Sequence, residues 1–352
     1  MTPEHQDRLR PIGYTPLIAQ GLAQLDADGS AMRVAEVHRD SVVLHDGDHE
    51  SRGQALPALT RAALLASESL AVGDWVLARS DDYGALWVTA RMTPVTQIAR
   101  RASDGARQCL VSNVDTALLV MGLDGDFNLR RLERYLAMVQ GAGVWPVVVL
   151  TKRDLVASAD AKTANVIERV PANVPVLSVD ARSPEVVSAL ADYLGVGQTL
   201  VLLGSSGAGK STLTNTLMGR DVQATGPVRD DDSRGRHTTR SRSLHPLPGG
   251  ACVIDTPGLR GLQVDIGEVG LGASFADIVA LAEQCRFRDC SHTDEPDCAV
   301  RAHTHPGRLS NYHKLIREVR RETMTFLDRR KQLAEWKARS RGAEQRMKIK
   351  RG

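Results

Sequence analysis

The sequence predicts a multidomain α/β protein: a small β-barrel in front, a mostly parallel sheet with helices on both faces, and a helical metal-binding end. Three observations predict it. Short alternating runs separated by Gly and Asp fill the stretch from Met32 to Val88. From Asn113 to Ile254 apolar strands alternate with amphipathic helices. After Cys285 comes a Cys/His cluster, then a basic helix.

The bulk numbers bound the reading. A chain of 352 residues has room for two to three domains at about 150 residues each. Hydrophobic residues make up 42%, enough for a real core. No run of 18 apolar residues exists, which excludes a transmembrane helix. Met1–Pro11 has no apolar stretch of the kind a secretory leader needs. Five Cys is an odd count, and three fall between 285 and 298. That pattern fits a cytosolic, cytoplasmic chain with a metal site, not a disulfide scaffold. From Val300 to Gly352 the net charge is +11, so the rest carries −8 against a total of +3. A basic end on an acidic body reads as a polyanion-binding arm.

The elements follow in order. Residues 1–30 are polar and small without a clear period and read as an N-terminal extension. Residues 31–95 read as an OB-fold, built from runs around Val34 and Val37, Val42–Leu44, Val72–Leu77 and Leu86–Val88. OB-folds often carry oligonucleotides, so RNA binding is expected there. Residues 96–112 are Arg-rich and read as a linker. Strands are then expected at Ala117–Met121, Val147–Leu150, Val174–Ser178, Thr199–Leu203 and Ala251–Ile254. Leu129, Leu132, Leu136 and Val139 recur at helical spacing. Ser183-Pro184-Glu185 starts a second helix, expected to run to about Leu194. Tyr312, Leu315, Ile316 and Val319 form one apolar helical stripe.

The phosphate-binding signature is strong. Gly204-Ser205-Ser206-Gly207-Ala208-Gly209-Lys210-Ser211 matches G-x-x-x-x-G-K-[ST], and Thr212 opens the helix beyond it. Its glycines let backbone N–H groups turn toward phosphate oxygens. Lys210 would neutralise the β and γ phosphates, and Ser211 would offer its hydroxyl to Mg²⁺. Asp255-Thr256-Pro257-Gly258 ends an apolar strand. There Asp255 can hold Mg²⁺ and Gly258 can give its N–H to the γ-phosphate. Between the two lies Gly235-Arg236-His237-Thr238-Thr239, in a polar loop suited to closing over a triphosphate. Thr239 is favoured over Thr238 as its Mg²⁺ ligand.

Base choice is legible too. Asp154, in Thr151-Lys152-Arg153-Asp154, can accept from guanine N1–H and N2 amine together. Adenine offers neither donor there, so such a site rejects ATP. The Lys152 stem would lie along the base. Ser178-Val179-Asp180 ends the next strand and can bring a backbone N–H to guanine O6.

Cys285, Cys290, His292 and Cys298 supply three thiolates and an imidazole, a set suited to one tetrahedral, structural Zn²⁺. His303 and His305 are rival ligands beyond a turn. Cys252 falls within a buried strand and reads as core.

The base-reading motifs precede the phosphate loop, the reverse of standard GTPase order. With the barrel, Val72-Gly73-Asp74, Asn113-Val114-Asp115, the switch segment and the Cys/His spacing, the chain resembles the small-ribosomal-subunit-dependent GTPase A family (RsgA, also YjeQ or YloQ) from about residue 33 to 330. That resemblance implies an OB-fold, a circularly permuted P-loop GTPase domain over 113–272, and a C-terminal helical zinc-binding domain over 273–338, with a basic tail at 339–352. It implies GTP hydrolysis to GDP during late maturation of the small ribosomal subunit, with that subunit and its rRNA as partner. It also points to His237 as the water-positioning residue. Lys210 and Thr239 complete the expected catalytic set. A Gln that orients water in Ras-like enzymes is replaced by Leu259, so hydrolysis alone should be slow. Two family positions differ: Thr151 stands for Asn, which should weaken the tie to the phosphate loop, and Val179 stands for Ala. A monomer without membrane contact is expected. The rival readings are a permuted GTPase on another RNA particle and an RNA-binding assembly protein with a structural nucleotide.

Overall fold

The computed structural model describes residues 2–65, 69–101, 107–220, 242–256, 263–264 and 266–323. Five strands build the front barrel: β1 (Ser30–Val37), β2 (Val42–His45), β3 (Glu50–Ala55), β4 (Trp75–Ser80) and β5 (Leu86–Arg91). Their order β1-β2-β3-β5-β4 closes back onto β1 through antiparallel pairing of Ser30–Arg33 with Trp75–Ala78. Strands β3 and β5 run parallel. Inside lie Val34, Leu44, Val76 and Val88, all essentially buried. Strand β3 went unread because its sequence, ESRGQA, buries only Gly53.

The first 30 residues are not a loose extension. They form α1 (Pro3–Leu9) and α2 (Pro16–Ala23), each N-capped by a Thr side chain. Leu9, Ile12, Ile18 and Leu22 join the main core. Helices this short show no usable period, so sequence pattern misses them. Helix α3 (Pro57–Leu65) follows β3. Residues 96–112, expected as a linker, instead carry an antiparallel pair, β6 (Gln97–Arg101) and β7 (Arg107–Ser112).

The second domain holds β8 (Thr116–Gly122), α4 (Leu129–Gly141), β9 (Trp145–Thr151), α5 (Ala159–Ile167), β10 (Val176–Ser178), α6 (Glu185–Ala189), β11 (Thr199–Leu203) and α7 (Lys210–Met218). Helix α6 is shorter than expected, and a 3₁₀ turn at Ala191–Tyr193 finishes that run. Strands β12 (Ser243–Pro246), β13 (Cys252–Asp255) and β14 (Gln263–Val264) follow. The strands β10-β9-β8-β11-β13 pair in parallel, and β12 adds antiparallel to β13. Strands β8 and β11 are buried throughout, which accounts for their unbroken apolar runs. β14 pairs with β6, so the hairpin forms a separate three-stranded sheet in the order β14-β6-β7.

A strand pairing joins barrel and sheet: β12 bridges to β1, Ser243 opposite Glu36, giving a single 11-stranded sheet. Behind that join sits Arg33, fully buried. Its guanidinium donates to the carbonyls of Ile12, Gly73 (3.2 Å) and Asn113 (2.8 Å), and to Thr199 Oγ1 (2.9 Å). It also lies over the Trp75 ring, 5.4 Å from its centroid.

The C-terminal part contains α8 (Gly267–Ser274), α9 (Ala276–Ala282), α10 (Ala299–His303) and α11 (Pro306–Thr323). Leu315 and Val319 of the predicted stripe are buried, while Tyr312 and Ile316 pack beside them. Among the described residues no helix is long and apolar enough to cross a membrane.

Arg33→Ala would strand two buried carbonyls at the join, those of Ile12 and Asn113, because the Gly73 carbonyl keeps its bond from Asn113 Nδ2 (3.0 Å). Unfolding free energy should fall by about 2 kcal/mol or more, at ~1–3 kcal/mol per unsatisfied group. Urea titration checks this, and a loss below about 1 kcal/mol contradicts the role given to Arg33.

Candidate nucleotide and metal sites

Four motifs scattered over 105 residues of sequence meet at one edge of the parallel sheet. Asp154 lies just beyond β9, Ser178 ends β10, Gly204 follows β11 and Asp255 ends β13. Because these strands are parallel, their C-terminal ends share one side, the usual ligand side of such sheets. Chain permutation leaves this convergence intact, since only the connections between strands change.

The phosphate loop runs from β11 into α7. Gly207 and Gly209 have φ of 81° and 95°, the left-handed region that a side chain would strain. Gly204 has a different reason: a Cβ there would sit 2.3 Å from the Val120 carbonyl oxygen. Lys210 is buried, and its ammonium donates to the Gly204 (3.2 Å) and Ser205 (2.9 Å) carbonyls, folding back over the loop it serves. Ser211 and Thr212 begin the helix behind it. The helix N-terminus adds a dipole that favours anions.

Thr151 corrects the expectation of a weakened tie. Its hydroxyl, fully buried, donates to the Ala208 carbonyl at 2.6 Å. The Thr151–Asp154 segment is thus bonded directly to the phosphate loop through the Thr151 hydroxyl.

Lys152 adopts φ of 61°, and its ammonium pairs with Asp124 at 2.6 Å. Burial pushes the Asp124 carboxyl up, but the bond and charge of Lys152 together with backbone N–H groups outweigh it and hold Asp124 below its usual range. Asp126, two residues on, accepts from Ser205 Oγ at 2.5 Å and pairs with Arg131 at 2.6 Å. Neither Asp belongs to a motif read from the sequence. Both sit in the β8–α4 turn, which only the fold brings to the phosphate loop. Asp154 is about one-third exposed, and its Oδ2 accepts from Arg182 at 2.6 Å. The Val179 N–H donates to the Leu150 carbonyl at 2.8 Å, so the strand ladder uses it.

Asp255 is buried at the end of β13, and neither carboxylate oxygen has a hydrogen-bond partner among the described residues. Desolvation pushes its pKa up to about 6, against the pull of the Lys210 ammonium. An uncompensated buried carboxylate is costly, and a hard cation with oxygen ligands would satisfy it. Ser211 and Asp255 therefore fit the expected Mg²⁺ role. His237, Thr238, Thr239, Gly258 and Leu259 lie outside the described residues, as do residues 339–352 of the basic tail.

The Cys/His cluster is assembled as the spacing predicts. The ligand atoms of Cys285, Cys290, His292 and Cys298 all lie within 4.8 Å of one another. Cys285 and Cys298 sulfurs are 3.9 Å apart, and His292 Nδ1 is 3.6 Å and 3.5 Å from them. Edges of roughly 3.8 Å follow for a tetrahedron with metal–sulfur bonds of ~2.3 Å. His292 reaches inward from φ of 61°. His303 and His305 are not in the cluster; His305 Nδ1 instead lies 3.2 Å from Arg169.

The RsgA GTPase family model matches residues 92–265. A small ribosomal subunit biogenesis GTPase RsgA of Xanthomonas oryzae pv. oryzae (strain MAFF 311018) is 48% identical over 297 residues, spanning 82% of this chain and 80% of its own length. One from Xanthomonas axonopodis pv. citri (strain 306) is 47% identical over 296 residues, with the same coverage. The chain belongs to the RsgA GTPase family. It is a GTP hydrolase. The fold agrees. YjeQ from Thermotoga maritima superposes with a TM-score of 0.58 at 22% identity, covering 82% of this chain and 98% of that one. YloQ, a circularly permuted GTPase, gives 0.55 at 21% identity, covering 86% and 99%.

Thr151→Val removes the bond to Ala208 but little volume. GDP affinity should fall about 5- to 10-fold, the equivalent of ~1–1.4 kcal/mol. Thr151→Ser should keep most of it. Equilibrium titration with a fluorescent GDP separates the two, and equal loss in both variants contradicts a hydroxyl-borne tie.

Proposed function

We propose that this chain hydrolyses GTP while docked on the small ribosomal subunit late in its maturation, and leaves or licenses the particle on hydrolysis. The observation that carries the proposal is the meeting of Asp154, the phosphate loop and Asp255 at one sheet edge, in a chain 48% identical to proteins named for small-subunit biogenesis. In this reading Asp154 accepts from the guanine N1–H and N2 amine, and the Lys152 stem covers one face of the base. Ser178 and Val179 line the next strand end. With the Val179 N–H committed to Leu150, the Asp180 amide takes the guanine O6.

The backbone of Gly204, Ser205, Ser206, Gly207, Ala208 and Gly209 cradles the phosphates, and Lys210 swings from its loop carbonyls onto them. Ser211, Asp255 and Thr239 hold Mg²⁺, which when bound neutralises charge building on the β and γ oxygens. Gly258 gives its N–H to the γ-phosphate. His237 orients the attacking water, because Leu259 cannot. The His237 segment must be held in place for that, and the subunit's rRNA holds it. A partner that completes a GTPase site this way is worth about 10³-fold or more in rate.

Zn²⁺ in Cys285, Cys290, His292 and Cys298 fills all four positions and is structural. The protein works as a monomer in the cytosol. The barrel over 31–95 and the basic end from 300 onward contact RNA phosphates, so binding should weaken steeply with salt.

The deciding assay is GTP turnover with and without purified small subunits, with large subunits and ATP as controls. Stimulation of GTP turnover by small subunits alone is expected. His237→Ala should abolish most of the stimulated rate while leaving GDP affinity within about twofold. A flat small-subunit titration contradicts the proposal.

Zinc content checks the metal site. One equivalent of zinc is expected in the wild type, and Cys298→Ser should lose it and open 285–305 to trypsin. Full zinc retention in that variant excludes Cys298 as a ligand.

A further inference from the structure

Arg182 lies outside every motif read from the sequence. It follows β10, four residues after Ser178. Its guanidinium bridges two carboxylates: Nη2 donates to Asp154 Oδ2 at 2.6 Å, and Nε donates to Asp180 Oδ1 at 3.3 Å. The same Asp180 oxygen accepts the Arg182 backbone N–H at 2.9 Å. Asp180 therefore fixes both ends of the Arg182 side chain, and Arg182 in turn touches the carboxylate that reads the base.

The geometry points to Arg182 as a positioning residue that sets the orientation of the Asp154 carboxylate for guanine. This rests on the base-reading role proposed above for Asp154. The terminal torsion of an Asp side chain is broad, so a carboxylate on a surface turn samples many orientations. Reading guanine demands one, because the N1–H and N2 amine approach as two parallel donors. A carboxylate offers about four lone-pair sites. Arg182 occupies one, on Oδ2, and leaves Oδ1 and the remaining Oδ2 site for the base edge. A planar guanidinium can anchor on Asp180 and still present an N–H at a fixed angle to Asp154. The pair is two-thirds exposed on the Arg182 side, so its worth to global stability is small. Its effect falls on discrimination between bases.

The test compares GDP, IDP and ADP binding to the full-length protein by calorimetry. IDP lacks the N2 amine, so the GDP-to-IDP affinity ratio measures the second of the two parallel bonds. Arg182→Ala should weaken GDP about fivefold and IDP by no more than about twofold, so that ratio falls. Arg182→Lys should recover part of the ratio, since an ammonium reaches one carboxylate but lacks the fork. Asp154→Ala should collapse the preference for GDP over IDP and ADP. An unchanged GDP-to-IDP ratio in Arg182→Ala, with collapse in Asp154→Ala, overturns the role of Arg182 alone. Tighter GDP binding in Arg182→Ala also overturns it, because Arg182 would then compete with the base. An unchanged ratio in both variants removes the base-reading role of Asp154 and the inference with it.

Discussion

The buried guanidinium of Arg33 is the constraint on which the arrangement of domains depends. A cation in a protein interior loses several kcal/mol of hydration, and among the described residues no carboxylate is bonded to it directly. It is stabilised instead by carbonyls from three separate places: the N-terminal helices at Ile12, the barrel at Gly73 and the entry to the second domain at Asn113. Thr199 adds the start of β11. None of these groups can move away without leaving a buried charge underbonded. The barrel is therefore fixed to the nucleotide-binding sheet, and β12 extends that union by pairing with β1. Residues 221–241 run in sequence from α7 to β12.

A second buried charge fixes the other end of the molecule. Glu133 of α4 is 1% exposed. It pairs with Arg308 (2.9 Å) and Arg169 (3.3 Å) and accepts from Asn311 (2.5 Å). Arg308 also pairs with Asp277 and lies over the Phe275 ring. Here the carboxylate is fully bonded, the condition under which a buried ion holds its geometry. Helices α9 and α11 are seated on α4 by these bonds. The same helix begins just after Asp124 and Asp126, which hold Lys152 and Ser205 at the nucleotide site. The turn leading into α4 thus touches the phosphate loop, and the helix itself touches the C-terminal part.

What the sequence made legible follows from how local each determinant is. The phosphate loop, the Cys/His cluster and the apolar strands β8, β9 and β11 are written in short contiguous patterns. Steric needs such as the Gly204 approach to Val120 leave a direct mark on residue choice. The N-terminal helices, β3 and the β6–β7 hairpin leave no such mark. The helices are each barely two turns long, β3 is mostly exposed, and the hairpin is Arg-rich with its order set by pairing partners far along the chain. Asp124, Asp126 and Arg182 were out of reach for another reason. Nothing in their local sequence separates them from surface charges until the fold sets them against Lys152, Ser205 and Asp154.

Thr151 shows that a departure from a motif need not be a loss. Judged by residue type, Asn to Thr shortens the side chain and removes an amide. Judged by what the position must do, one donor aimed at the Ala208 carbonyl is enough, and a buried hydroxyl at 2.6 Å supplies it. The bond spans 57 residues of sequence, between the phosphate loop and the segment proposed to distinguish bases. Holding the two at a fixed distance matches a nucleotide's own rigid separation of base and phosphate. Adenine and guanine nucleotides share that separation. In the function proposed here, the hydroxyl sets the span of the site, while the carboxylate orientation at Asp154 sets which base it takes.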